Sequence, residues 1–349
     1  MILHVAELDK FMPPFVRLVN EEFEGEEHEF WFIDPLGNGT EDLPGRIYVC
    51  GGGFRGTLSG GLRLIKQLHN ARKVMLHGLF SINVLVILFL CPWVLHKCYW
   101  VIWGGDLYQY TNVRTSIPSK LREILRRFII GRVGHLVTYI KGDVELARQW
   151  YGATGTHHEC IMYLSNVVNP GAMAETNPRS GKGGLNILLG NSADPSNNHI
   201  QALERLLAYK DQDIKIFVPL SYGDRNHARS VIAQGHEWFG EKFVPMTDFM
   251  PFEQYLEFLK SLDIAIFNHQ RQQAMGNIVT LLGMGKKVFI RSDFSHGRFL
   301  TGLGIKLDDV EQLALEPADA EDAKMNARIV FSYFSKATLI KQLSEIFEA

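Results

Sequence analysis

The chain has 349 residues, 46% apolar and 21% charged, which excludes wholesale disorder and a low-complexity scaffold and suggests about two domains. Lys and Arg total 36 against 38 Asp and Glu, for a net charge of −2, so the total does not describe a strongly basic nucleic-acid binder. The charge is unevenly spread: residues 1–45 hold 11 acidic and 2 basic side chains, whereas residues 46–141 hold 14 basic and 2 acidic ones. One stretch of the first half should therefore attract anions.

Met1-Ile2-Leu3-His4-Val5 lacks the basic and then apolar regions of a signal peptide and reads as a first strand. Short apolar runs then alternate with helical spacing. Strands are expected at Ile2–Val5, Glu29–Ile33, Ile47–Cys50, Lys73–Leu76, Cys98–Trp103 and Leu136–Ile140. Helices are expected at Pro14–Phe23, Thr57–His69, Ser81–Leu90 and Ser119–Gly131. This alternation argues for an α/β domain with a mostly parallel sheet. The apolar heart Ile82–Leu95 is about 14 residues long, short of the roughly 20 that span a bilayer, and reads as a buried helix.

Ser119–Val133 sets Lys120, Arg122, Arg126, Arg127 and Arg132 among Leu121, Ile124, Leu125, Phe128 and Ile129. The spacing predicts a basic amphipathic helix, suited to an anionic membrane surface or, equally, to a solvated face over a core. The balance of +12 over residues 46–141 tips the reading toward the membrane.

Residues 166–184 are rich in Gly, Pro and Asn and read as a linker between residues 1–165 and 185–349. After it the pattern restarts. Strands are expected at Leu185–Leu189, Ile214–Val218, Ile264–Phe267 and Lys287–Ile290, with helices at Asn197–Tyr209, Arg225–Gln234, Pro251–Ser261 and Gln272–Met284. The closing helices, Ala320–Phe331 and Lys336–Phe347, are free to pack back on the first domain. The four cysteines, Cys50, Cys91, Cys98 and Cys160, form no C-x-x-C pair. Free thiols and a cytoplasmic setting are expected.

Three strand-end loops of the second half carry donors. In Gly190-Asn191-Ser192-Ala193-Asp194-Pro195-Ser196-Asn197-Asn198-His199 a glycine and amide side chains lead into a helix, whose unpaired N–H groups favour phosphate. Asn268 to Asn277, with Arg271, Gln272, Gln273 and Gly276, is a second such loop, and Tyr222 ends a third. No Walker lysine and no G-x-G-x-x-G accompany them. In the first half, His77 and Asp106 stand at strand ends, and either could serve as the base for an acceptor hydroxyl. Adjacent His157 and His158 in a strand would point to opposite faces, so no metal site is expected there.

Trp103-Gly104-Gly105-Asp106-Leu107-Tyr108, His77-Gly78, Gly190-Asn191-Ser192 with Ser196-Asn197 and His199, Val218-Pro219 with Tyr222, and Arg271-Gln272-Gln273 with Gly276 resemble the bacterial N-acetylfucosaminyltransferases of enterobacterial common antigen synthesis. The likeness runs over roughly residues 70–300. It implies an α/β fold of the GT-B type, two Rossmann-like domains facing a cleft. It also implies transfer of 4-acetamido-4,6-dideoxygalactose from a dTDP carrier to an undecaprenyl-diphosphate-linked saccharide, at the cytoplasmic face of the inner membrane and without a bound metal or cofactor. Gly190, Asn191, Ser192, Tyr222, Arg271, Gln272, Gln273, Gly276 and Asn277 would then hold the donor. Asp106 or His77 would act on the acceptor, and Lys120, Arg122, Arg126 and Arg127 would face the membrane. The family pattern carries glycine where this chain has Ala274. Two other readings stay open: a soluble GT-B-like sugar-nucleotide epimerase, with no role for Lys120, Arg122, Arg126 and Arg127, and a non-catalytic lipid-glycan binding protein.

Overall fold

The structure, a computed structural model, describes residues 1–33, 42–49, 54–112, 116–168 and 184–348. The chain divides into two compact units, residues 1–165 with 336–349, and residues 166–335. Most of the expected linker, residues 169–183, lies outside the described residues, as does Cys50.

The first unit runs β1 (Ile2–Glu7), α1 (Met12–Glu22), β2 (His28–Ile33), β3 (Arg46–Val49), α2 (Phe54–Asn70), β4 (Lys73–His77), α3 (Ile82–Leu90), β5 (Cys98–Val101), α4 (Ile117–Ile130), β6 (His135–Val137), α5 (Lys141–Tyr151) and β7 (Thr156–His158). Its sheet has the order β3-β2-β1-β4-β5-β6-β7, with every pair parallel. β2 and β4 are buried along their whole length. This follows from helices covering both faces of a parallel sheet, and it explains why these strands read as continuous apolar runs.

The expected strands Cys98–Trp103 and Leu136–Ile140 are shorter in the structure, because Asp106 folds the Trp103 end of the first into a turn and α5 starts at Lys141. The apolar heart Ile82–Leu95 is not one buried helix. Pro92 cannot continue α3, and residues 92–97 form a 3₁₀ turn instead. Val84, Leu85, Leu88, Cys91, Val94 and Leu95 of this stretch enter the core, while Val86, Phe89, Leu90 and Trp93 face outward.

The second unit runs β8 (Leu185–Leu189), α6 (His199–Leu206), β9 (Ile214–Pro219), α7 (Arg225–Phe239), β10 (Phe243–Met246), α8 (Phe252–Lys260), β11 (Ile264–Phe267), α9 (Met275–Gly283), β12 (Lys287–Ile290), α10 (Ser295–Gly302), β13 (Asp308–Asp309) and α11 (Ala320–Tyr333). Its sheet has the order β10-β9-β8-β11-β12-β13 and is also all parallel. The last helix, α12 (Lys336–Glu348), belongs to the first unit. There Phe347 packs edge-on against His28 and His4, and the Gln342 side chain accepts the Ile161 N–H.

In sheets of this kind ligands bind beyond the carboxyl ends of the strands, where the strand order reverses. That point lies between β1 and β4 in the first unit and between β8 and β11 in the second.

Candidate donor site at the carboxyl edge of the second sheet

The loops after β8 and β11 flank the reversal point, and their side chains interlock. Gln273 Nε2 donates to Asn191 Oδ1 at 3.1 Å, and Asn191 Nδ2 donates to the Tyr222 hydroxyl at 3.3 Å. Ser196 Oγ lies 2.7 Å from Gln273 Oε1. Three loops far apart in sequence thus present Asn191, Tyr222 and Gln273 together. Asn277, in the first turn of α9, donates to the Tyr255 hydroxyl at 2.9 Å. Tyr255 thereby joins the candidate site, and sequence reasoning missed it. It sits in the apolar spacing of α8, and nothing in that pattern separates a site tyrosine from a core one.

The N-terminus of α9 is open. Ala274, its N-cap, has φ +57 and ψ 22 and makes no side-chain cap hydrogen bond. Among the described residues the N–H groups of Gly276 and Asn277 in the first turn have no backbone acceptor, and they lie at the positive end of the helix dipole. Gln272 Oε1 is buried and has no hydrogen-bond partner among the described residues, an unmet acceptor of the sort that a bound ligand or water satisfies.

The loop after β8 differs from expectation. Residues 195–197 form a 3₁₀ turn capped by Asp194, whose Oδ1 accepts from the Ser196 N–H at 2.8 Å. Burial pushes the Asp194 carboxyl up, but the Ser196 hydroxyl and amide and the Arg271 guanidinium together hold it below its ordinary value. This capping carboxylate places negative charge beside the start of α6, where the N-terminus of α9 has none from its own cap. Arg271 is paired with Asp194 at 3.2 Å, so part of its charge is already offset.

Gly190 and Ser192, both expected at the donor, have close protein neighbours. Gly190 has φ +72, and a Cβ on it would lie 2.7 Å from Asn197 Oδ1 and 2.7 Å from His199 Nε2. An added Cβ would therefore press on the residues that brace this loop, which is why glycine stands here. Ser192 is buried, and its Oγ accepts from the Asp194 N–H at 3.3 Å. Asn197, fully buried, accepts from the Asn191 N–H at 2.9 Å and sits 2.8 Å from His269 Nε2. These residues brace the loop from behind. A recess of about 640 Å³ beside α8, lined by Val168, Phe252, Leu256, Glu257, Thr280 and Met284 among others, holds none of the expected donor residues.

In the first unit, neither expected base is open to a ligand. Asp106 has no exposed surface. Its Oδ2 accepts from the Leu79 N–H at 3.0 Å and from Trp100 Nε1 at 2.7 Å, and its Oδ1 from the N–H groups of Trp103 and Leu107 at 3.1 and 3.0 Å. Burial raises its carboxyl, against the pull of those donors and of Arg126. His77 is buried with both nitrogens engaged, Nδ1 2.6 Å from the Tyr163 hydroxyl and Nε2 3.0 Å from His4 Nδ1. Burial lowers its imidazole to about 3. Trp103 Nε1 donates to the same Tyr163 hydroxyl at 3.0 Å. Asp106 and His77 therefore converge on Trp103, one through its backbone and the other through Tyr163, and Trp103 is only half-buried.

Of the four expected membrane residues, Lys120, Arg122 and Arg127 are exposed. Arg126 is not. It is 3% exposed, donates to Glu123 at 2.8 Å and reaches the Leu79 carbonyl at 3.3 Å. Of the adjacent residues His157, His158, Glu159 and Cys160, His157 Nε2 lies 2.8 Å from the Thr138 carbonyl, His158 Nε2 lies 2.9 Å from His135 Nδ1, and Cys160 Sγ accepts from the Met162 N–H at 3.3 Å. Among the described residues no group of three His, Cys, Asp or Glu side chains could hold a metal ion, and no helix is long and apolar enough to cross a membrane.

Solved structures share this architecture. Anabaena HepE in complex with UDP-glucose superposes with a TM-score of 0.71 at 11% identity, covering 99% of each chain. A glycosyltransferase from Rickettsia africae matches with a TM-score of 0.65 at 13% identity, over 99% of this chain and 97% of that one. WaaG, a glycosyltransferase involved in lipopolysaccharide biosynthesis, matches with a TM-score of 0.63 at 9% identity, over 99% and 98%. At these identities the likeness establishes the fold, which is of the GT-B type. In sequence, the 4-alpha-L-fucosyltransferase family, glycosyl transferase group 56, matches residues 57–305. With most of its length matched, two all-parallel α/β units and amide-rich loops at the reversal point of the second sheet, this chain belongs to the 4-alpha-L-fucosyltransferase family of glycosyltransferases.

Proposed function

We propose that the carboxyl edge of the second sheet holds a dTDP-sugar, and that the enzyme transfers 4-acetamido-4,6-dideoxygalactose from it to an undecaprenyl-diphosphate-linked saccharide at the cytoplasmic face of a bacterial inner membrane. The observation that carries the donor half is the open N-terminus of α9, set beside the Asn191–Gln273 pair where the strand order reverses. UDP-glucose bound to HepE, a protein of the same fold, supports a nucleotide-sugar donor. The dTDP carrier, the sugar and the acceptor rest on the sequence motifs shared with the N-acetylfucosaminyltransferases.

In this reading the diphosphate lies on the α9 amides. Negative charge grows on the leaving diphosphate as the glycosidic bond breaks, and preformed N–H donors stabilise that charge without reorganising. Arg271 adds what Asp194 leaves of its charge. Asn191, Gln272 and Gln273 fix the sugar and phosphate oxygens, while Tyr222, Asn277 and Tyr255 border the nucleoside. On the acceptor side Asp106 and His77 are positioning residues. They hold Trp103, whose indole face offers a platform for a saccharide ring. Lys120, Arg122 and Arg127 attract the anionic membrane that carries the acceptor.

Calorimetric titration with dTDP and UDP, each with and without magnesium, tests the donor half. Metal-independent binding of dTDP that Asn191→Ala weakens is the expected result. Binding of neither nucleotide removes the donor reading and leaves a lipid-glycan binder. Turnover of the dTDP-sugar without any lipid acceptor turns the reading to an epimerase.

A further inference from the structure

We propose that α2, α3 with its following 3₁₀ turn, and α4 form one face that inserts into the acyl region of an anionic bilayer. The inference deepens the membrane part of the function proposed above and is independent of its donor part. Most of the large apolar side chains exposed among the described residues lie on these elements. Leu90 is 61% exposed and Trp93 59%, and Ile117, at the start of α4, is 83% exposed. Leu62 on α2 and Leu121 and Ile124 on α4 are more than half exposed too.

The face is continuous. Phe89 of α3 meets Phe128 of α4 edge-on with centroids 4.8 Å apart. A Cβ on Gly61 of α2 would sit 3.8 Å from Ile87 Cδ1 of α3. Between α2 and the 3₁₀ turn lies a recess of about 270 Å³, lined by Leu62, Ile65, Val94 and Trp93, with Lys66 and His69 among its polar residues. An apolar surface of this extent on a soluble fold marks an interaction site.

Charge identifies the occupant. Arg63 and Lys66 on α2 and Lys120, Arg122 and Arg127 on α4 are exposed around the apolar side chains. The two acidic residues between positions 46 and 141, Asp106 and Glu123, both turn inward. A protein partner offers carboxylates and ammonium groups together. A bilayer with anionic headgroups offers phosphate at one depth and hydrocarbon below it, which is the order these side chains need. The face also reaches the chemistry. Arg126 of α4 reaches the carbonyl of Leu79, which follows β4 and whose N–H Asp106 accepts, so α4 is tied to the carboxyl edge of the first sheet and a lipid-anchored saccharide would emerge beside that edge.

The consequence is binding that salt does not abolish. Headgroup attraction is screened at high ionic strength, whereas apolar insertion is not. The test is flotation of the full chain with phosphatidylcholine vesicles containing phosphatidylglycerol, at low and at high salt. Part of the binding is expected to survive high salt. Leu90→Glu with Trp93→Glu should lower that remainder at least about tenfold, whereas Lys120→Glu with Arg122→Glu should remove only the salt-sensitive part. Brominated lipid should quench tryptophan emission, and Trp93→Phe should abolish that quenching while keeping flotation. Complete release of the wild type by salt, or quenching unchanged in Trp93→Phe, overturns the proposal. So does self-association through Trp93 in place of vesicle binding. A dTDP titration of the same proteins separates the two readings: Trp93 quenching without dTDP binding keeps the inserted face and removes the donor site, and the reverse result removes the inserted face alone.

Discussion

Asn191 and Gln273 stand 82 positions apart in the chain, and their amides meet at 3.1 Å across the point where the second sheet reverses its strand order. Because Gln273 Nε2 is the donor, Asn191 Oδ1 is the acceptor, and the Asn191 amide nitrogen is left to reach the Tyr222 hydroxyl. Each side chain sets the orientation of the other. Asn191→Ala and Gln273→Ala should each weaken dTDP binding about tenfold. Because they act as a pair, the double variant should lose less than the sum, with a coupling of about 0.5–3 kcal/mol. Calorimetry on the four proteins of the cycle measures this, and strict additivity would show that the pair does not act together on the ligand.

Ala274 holds a backbone conformation with φ +57, where an L-residue carries about 1–2 kcal/mol of strain that glycine lacks. Ala274→Gly should therefore raise the thermal midpoint despite the usual cost of glycine flexibility. The opposite result is expected at Gly190, where an added Cβ would meet Asn197 and His199 at 2.7 Å. Gly190→Ala should lower the midpoint markedly. Paired melting curves of the two variants decide the matter; a lower midpoint for Ala274→Gly would contradict the strain argument.

Asp106→Ala should act on stability first. It removes the acceptor for four N–H groups and leaves Arg126 less compensated. Breaking such a buried network costs about 3–5 kcal/mol. Urea unfolding of the purified variant reads this directly. A variant of wild-type stability with lost turnover would instead restore Asp106 as a base on the acceptor.

Several buried imidazoles give the fold an acid limit. Burial lowers His77 and His199 to about 3. It lowers His28, helped by the N-terminal charge and Arg72, and His296 to about 4. Their ordinary value is 6.5. The unfolded chain therefore binds more protons than the folded one below that pH, and the stability these groups hold is full above 6.5 and lost as pH falls toward 4 and then 3. Each contributes up to about 1.4 kcal/mol per pH unit through that window. The urea midpoint should be level from pH 8 to 7 and fall steeply between roughly pH 6 and pH 5. A midpoint independent of pH over this range would mean that the imidazoles become protonated inside the fold.

The alternation of apolar runs with helical spacing made the two parallel α/β units legible, because a strand buried on both faces needs a continuous apolar run and a covering helix needs a stripe. Gly190-Asn191 and Gln272-Gln273 could be picked out for the same local reason, since polar residues at a strand end have no core to enter. Tertiary structure decided which of those residues stay accessible. Asn191 and Gln273 remain at the surface, while Ser192 and Asn197, equally polar and only a few positions away, are buried as braces. Arg126 shows the same limit, for it lies on the same helix as Arg122 and Arg127 yet turns toward Leu79 and Glu123. Tyr255, His77 and Asp106 acquire their roles from partners on other strands and helices. The sequence by itself determined local periodicity, and with it the elements and their ends. Only the order of the strands brought loops 82 residues apart into hydrogen-bonding distance, since a contact between distant segments depends on how the sheet is wound and leaves no periodic mark along the chain.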